Sequence, residues 1–166
     1  MANIILWRHA DAEMISSTGA DIDRALTKRG RKDAVKMASW LNTYLPENTT
    51  ILCSPAKRCL ETLAALDITT QYNTQYKIQV VGFLGVEALP ETILQNITNA
   101  DTEHTYLLVG HQPNIGYVIA ELLGMQEKSC VVKKGSVWWI RQRFVDGVAR
   151  PDACEYYLHT MQQPDY

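Results

Sequence analysis

The chain has 166 residues, enough to bury roughly 70% of the surface its unfolded form exposes, so it needs no disulfide or metal staple to fold. With 16 Lys+Arg against 18 Asp+Glu the net charge is -2, which excludes a global basic field for nucleic acid or an anionic membrane and makes any anion binding local. The four cysteines form no CxxC pair, no basic-then-apolar leader opens the chain, and no apolar stretch reaches spanning length, so the expectation is one domain over 1–166, soluble, unprocessed and cytoplasmic.

A short apolar run, Ile4 to Trp7, ends in Arg8-His9 and predicts a first strand. Ala10 to Asp23 has no clear periodicity and is expected to be a long loop over the strand end, a kind of segment often used for function. Thr27 is a suitable N-cap for a helix of about 18 residues with Ala34, Met37, Ala38, Leu41 and Leu45 on one stripe, stopped by Pro46. Thr50 to Cys53 predicts a second strand. Ser54-Pro55 should cap the helix after it, with Leu60, Leu63 and Ala64 on its inner face and its end near Asp67. A third strand is expected at Lys77 to Val81, a helix from Pro90 to about Asn99, and a fourth strand over Thr105 to Val109 ending in Gly110-His111. The next helix starts at Pro113, carries Ile115, Val118, Ile119 and Leu122, and stops at Gly124. Ser136 to Phe144 and Cys154 to Met161 flank Asp146-Gly147 and predict a terminal hairpin whose connection exceeds a two-residue turn. Adjacent aromatics on a strand point to opposite faces, so Trp138, Trp139, Tyr156 and Tyr157 are assigned to packing.

Apolar runs bounded by turns and separated by helices are the signature of buried parallel strands, and open α/β sheets bind ligands at the strands' C-terminal ends. Three such ends carry Arg8-His9, Ser54-Pro55-Ala56-Lys57-Arg58 and Gly110-His111. Gathered at one edge, two Arg and two His repel one another unless an anion joins them, which points to a phosphoryl group. A neutral histidine is a nucleophile, and Arg8 beside His9 disfavours its imidazolium form. The planar forks of Arg8 and Arg58 suit phosphoryl oxygens better than the point charge of Lys57. Arg58 also sits in the first turn of its helix, where the macrodipole disfavours a cation. His111 precedes a helix whose backbone N–H groups can add to an anion site. His104 and His159 lie outside this pattern and take ordinary structural roles.

With its segments Leu6 to Ala12, Asp23 to Gly30, Ser54 to Thr62 and Val109 to Gly116, the chain resembles the histidine phosphatase superfamily, and within it the short SixA-like branch of phosphohistidine phosphatases. The resemblance implies a three-layer α/β/α sandwich around a mainly parallel sheet, as in phosphoglycerate mutases, here with a C-terminal β-hairpin. It implies that His9 accepts the phosphoryl group, that Arg8 and Arg58 hold it, and that His111 is the second pocket histidine. It also places Arg24 at the mouth of the site. No metal or cofactor is implied. Ala10 stands where the family usually has glycine. The acid that protonates a leaving alkoxide in many members has no clear match; Glu87 is the nearest candidate, with Glu91 behind it.

The middle of the chain, Thr62 to Leu107, has little room for a lid, so the pocket should be open and suited to a phosphate displayed on a large partner. The leading expectation is a metal-independent hydrolase of signal transduction that dephosphorylates phosphohistidine on a carrier protein. The same-fold alternative is a phosphatase of a small phosphoester with Glu87 as acid. A non-catalytic phosphohistidine-binding module is the alternative of another class, opposed by the presence of a nucleophile. A metal shared by His9 and Asp11 is disfavoured because two Arg would repel it.

Overall fold

A computed structural model of the protein describes residues 2–47, 49–66, 76–98, 103–144 and 154–164. Six strands form one mixed sheet, β1 (Asn3–Arg8), β2 (Thr50–Cys53), β3 (Lys77–Val80), β4 (Thr105–Gly110), β5 (Val137–Phe144) and β6 (Cys154–Gln162), in the spatial order β3-β2-β4-β1-β5-β6. β3, β2, β4 and β1 run parallel, while β5 is antiparallel to β1 and β6 to β5. Among the described residues four α-helices join them: α1 (Lys28–Tyr44), α2 (Lys57–Ala64), α3 (Pro90–Thr98) and α4 (Asn114–Leu122).

Right-handed crossovers explain the layers. The chain moves toward one edge from β1 to β2 to β3, which puts α1 and α2 on one face. It then returns to β4, which puts α3 and α4 on the other. Both faces of the central strands are therefore covered, and their sequences read as continuous apolar runs. Along β1, Ile5 and Trp7 pack with Met37, Leu41 and Leu63 from α1 and α2. Ile4 and Leu6 pack on the opposite face with Ile93, Ile115 and Ile119 from α3 and α4. Each fully buried apolar side chain contributes about 1.5–3 kcal/mol relative to exposure. Trp139 joins the first core and Trp138 the second, as alternation on β5 requires.

α1 follows its sequence signals: Thr27 Oγ1 accepts from the Gly30 N–H at 2.9 Å, and Ala34, Met37, Ala38 and Leu41 are buried. α2 departs from its expected face. Leu63 is buried, but Leu60 and Ala64 are exposed, and Arg58, Cys59 and Thr62 take the inner positions. The helix is turned to deliver polar groups to the sheet edge, a need apolar periodicity does not report. Ser54 is not its cap either; the N-cap is Ala56, and the Ser54 hydroxyl serves another partner. Asp67, Asn99 and Asp146-Gly147 lie outside the described residues. No described helix is long and apolar enough to cross a membrane.

The start of α1 is pressed against the loop that leaves β1. Asp11's carbonyl accepts from the Thr27 N–H at 3.0 Å, and a Cβ on Gly30 would stand 2.0 Å from that same oxygen. Glycine is required here by a backbone approach that no side chain can yield to. Gly30→Ala should therefore destabilise the protein by about 3 kcal/mol, measured as the shift in a denaturant unfolding curve; an unchanged midpoint would mean that the loop moves aside at no cost.

Candidate active site

The C-terminal ends of β1, β2 and β4 meet where the strand order reverses, the usual ligand crevice of such sheets. Arg8 ends β1 and His9 follows it; His111 follows β4; Ser54 follows β2, with Arg58 in the first turn of α2. The His9 and His111 rings lie 5.3 Å apart between centroids, and Arg8 and Arg58 act electrostatically on both. The four groups singled out in the sequence thus converge.

Main-chain groups fix His9. Its N–H donates to the Gly110 carbonyl, and its own carbonyl accepts from Gly135, both at 3.1 Å. Its Nδ1–H donates to the Ala10 carbonyl at 2.8 Å, which selects the tautomer with a bare Nε2. The residue is 7% exposed. Burial above all drives its pKa from 6.5 down to about 3; the Ala10 bond opposes this, and His111, Arg58 and Arg8 add to the fall. His9 is therefore neutral across the physiological range, with a free lone pair on Nε2. Ala10 costs the site nothing: its methyl is fully buried with Leu26 and Ala34, and its N–H donates to Thr62 Oγ1 at 3.1 Å.

His111 is held through its other nitrogen. Its Nε2 shares a hydrogen bond with the Ser54 hydroxyl at 2.8 Å, with Cys59 Sγ at 3.5 Å. Its Nδ1 is buried with no hydrogen-bond partner. Buried polar atoms are nearly always satisfied, and in the tautomer in which Ser54 donates to Nε2 the unmet Nδ1–H is suited to an anionic oxygen. Burial, then Arg58, lowers the His111 pKa to about 4, with Asp21 pulling the other way.

The two arginines are aimed differently. Arg8 Nη1 donates to the Val132 carbonyl at 2.6 Å. Arg58, 2% exposed, donates Nη1 to the Asp21 carbonyl and Nη2 to Asp21 Oδ2, both at 3.0 Å. This pairing offsets the macrodipole conflict at the start of α2. Arg24 reaches the same carboxylate, Nε to Oδ1 at 2.9 Å, and anchors to the Glu13 carbonyl at 3.0 Å. It also acts on His111, so it sits close enough to feel the site. Partial burial works against ionisation of Asp21, but Arg58 and then Arg24 outweigh it and hold the carboxyl below its ordinary value.

A cavity of about 700 Å³ opens beside the histidines, lined by Asp21, Ile22, Ser54, Pro55, Ala56, Gly82, Gly85, Val86, Glu87 and Ala88. It touches the cluster through Ser54 and Asp21. Glu87 thus stands on the wall of the neighbouring cavity, whereas Glu91 is exposed in the first turn of α3 and is not part of the lining. The Asp11 carboxylate is taken up by Lys134 Nζ at 2.8 Å and Thr27 Oγ1 at 2.9 Å. Among the described residues no three His, Cys, Asp or Glu side chains group as metal ligands. His104 bonds Thr50 Oγ1 at the start of β4, the far end of the sheet, and His159 packs edge-on to Trp139.

Sequence reasoning missed Asp21 and Ser54 as parts of the site. Asp21 lay in a loop marked for function but without periodicity, and its one local signal is its place three residues before Arg24. Ser54 carries a strong capping signal that hides its bond to His111.

Residues 4–79 match the family model for the histidine phosphatase superfamily (branch 1). A Mycobacterium tuberculosis protein of unassigned function is 34% identical over 109 residues, 63% of this chain and 65% of the relative. The aligned part thus spans just under two thirds of the mycobacterial relatives' length. Phosphohistidine phosphatase SixA of Escherichia coli is 29% identical over 123 residues, 72% of this chain and 73% of SixA. The structure of the protein histidine phosphatase SixA complexed with tungstate superposes with a TM-score of 0.75 at 22% identity, covering 98% of this chain and 97% of that one. An Agrobacterium tumefaciens structure assigned to SixA gives 0.78 at 22% identity and the same coverage. These likenesses show the fold.

Both histidines are neutral in the folded protein and bind protons near pH 6.5 when unfolded, so the unfolded state gains protons as pH falls from 6.5 toward 4. Stability should drop through that window by about 1.4 kcal/mol per pH unit for each histidine. Urea unfolding between pH 7 and 4.5 checks this, and replacing His9 and His111 with Asn should flatten the slope; an unaltered slope would mean that neither ring resists protonation.

Proposed function

We propose that this protein, whose residues 4–79 match the histidine phosphatase superfamily model and whose relatives include SixA, is a phosphatase that works through a phosphohistidine intermediate on His9 and removes phosphoryl groups from phosphohistidine on a protein. The observation that carries the reading is the pair of buried rings side by side: His9 has its bare Nε2, and His111 has an Nδ1 with no partner.

Phosphoryl transfer asks a protein mainly for positioning and charge stabilisation. In the proposed cycle His9 Nε2 attacks phosphorus in line, forming a new N–P bond as the substrate's own N–P bond breaks. The departing imidazole keeps the bonding pair and is released carrying a proton. Arg8, Arg58 and His111 Nδ1–H face the non-bridging oxygens, where charge is held in the transition state. Water then attacks phospho-His9, inorganic phosphate leaves, and the imidazole is restored. A nitrogen leaving group can be protonated before the bond breaks, so this substrate asks less of an acid than an alkyl ester does. A phosphate carried on a large partner is supported by the cavity of about 700 Å³ that reaches the cluster at Ser54 and Asp21. No step needs a metal.

A second reading has one observation in its favour. Glu87 shares the cavity wall with Ser54 and Asp21, a place from which it could protonate an alkoxide. On that reading Glu87→Gln lowers turnover of alkyl phosphates about 100-fold or more and leaves phosphohistidine turnover alone.

Mixing the protein with a phosphohistidine carrier domain and quenching during turnover should leave an acid-labile phosphoryl adduct on wild type and none on His9→Ala. The carrier should lose its phosphate only to wild type. Full turnover by His9→Ala would overturn the mechanism, and an adduct formed from small esters but not from the carrier would move the substrate to the second reading.

A further inference from the structure

The side chain of Arg58 is 3% exposed, yet the group that holds it stands on an exposed loop. Asp21 opens a 3-10 turn, Asp21–Asp23, and its side chain is 57% exposed. It grips Arg58 twice, through its main-chain carbonyl and Oδ2, while Oδ1 takes Arg24. Arg58 Nε remains buried with no hydrogen-bond partner. A guanidinium is planar and its donors are fixed in one fork, so holding two of its nitrogens sets the direction of the rest. Asp21 also lines the cavity that adjoins the histidines.

We propose that Asp21 is the positioning residue of the phosphoryl site: it holds the Arg58 fork in its receiving orientation, and its charge limits how tightly phosphate is kept. This rests on the reading of His9 and Arg58 as a phosphoryl site. The two effects arise from one carboxylate but can be separated. Orientation needs an acceptor for Arg58 Nη2, which an amide oxygen also supplies. Charge is another matter. A carboxylate 3.0 Å from Arg58 partly neutralises the cation that must receive the phosphoryl oxygens and repels the anion itself. Two fully uncompensated arginines would bind substrate and product phosphate alike, which deepens the bound states without lowering the barrier between them. Asp21 thus accounts for how a pocket this cationic lets its product go. Arg24, on the other oxygen of the same carboxylate, ties the turn to Glu13 and keeps the acceptor in place.

The test uses inorganic phosphate as the probe, by isothermal titration at pH 7.5, with rapid-quench measurement of His9 phosphorylation beside it. Asp21→Asn keeps an acceptor for Arg58 and loses the charge, and it should bind phosphate about tenfold more tightly than wild type. Asp21→Ala loses the acceptor as well, and it should phosphorylate His9 at least about tenfold more slowly than Asp21→Asn. Phosphate affinity in Asp21→Asn equal to or weaker than wild type overturns the charge role, and equal phosphorylation rates in the two variants overturn the positioning role. Asp21→Asn, which keeps the acceptor, is expected to hold a thermal unfolding midpoint close to wild type, and Asp21→Ala, which leaves buried Arg58 with one acceptor fewer, to lower it, so both rates are read well below that midpoint. Absence of phosphate binding by wild type overturns the phosphoryl-site reading and this proposal together, whereas phosphate binding that Asp21→Asn leaves unaltered, with equal phosphorylation rates in the two variants, overturns the whole of this proposal alone.

Discussion

Burying positive charge is the constraint around which this protein is organised. Arg58 is almost wholly inaccessible, and with Arg8 it stands beside two buried, neutral histidines, His9 and His111. An unpaired buried charge costs several kcal/mol, so the fold must supply partners that satisfy these groups without filling the space an anion would take. It does so mostly with the main chain. The Val132 carbonyl receives Arg8, the Ala10 carbonyl receives His9, and the Asp21 carbonyl shares Arg58 with its own carboxylate. Carbonyl dipoles stabilise cations at lower electrostatic cost to an incoming anion than full negative charges would.

The same constraint explains why the helices and strands sit as they do. α2 cannot bury its most apolar face, because Arg58 and Thr62 must point inward, and Leu60 is left outside. Thr62 then takes the N–H of Ala10, the residue whose carbonyl selects the His9 tautomer. Ser54 gives up capping to hold the ring of His111. Cys59, whose thiol burial pushes up, is an uncharged neighbour to that ring and adds no anion to the pocket. Local preferences are overridden where the site needs them to be, which is where such conflicts are expected.

The layered sheet and the residues that meet at its edge were legible in the sequence because each depends on local pattern. Apolar runs marked β1, β2 and β4, the stripe from Ala34 to Leu41 marked α1, and chemistry-bearing residues stood directly after strand ends. The partners of those residues were not legible, since hydrogen bonding across the fold leaves no periodic trace. Asp21 lies 37 positions from Arg58, and Val132 lies 124 from Arg8. The inner face of α2 was misread for the same reason, because apolar spacing assumes that burial follows hydrophobicity. Glu87 could be named as a carboxylate near the middle of the chain, but only the cavity relates it to the histidines.

The segment just before β5 has a bearing on how the protein is made. Val132, Gly135 and Ser136 contribute the carbonyl that receives Arg8, the N–H bound to the His9 carbonyl, the carbonyl bound to Trp7 Nε1 and the carbonyl bound to the Arg8 N–H. All four sequence motifs are synthesised before this segment. A ribosome that has just delivered Gly116 has therefore translated every side chain of the cluster, yet Arg8 and His9 still lack the clamp that orders them. Competence would then arrive late and abruptly, when the antiparallel strand docks beside β1, so that an unfinished chain carries the chemistry without the means to use it.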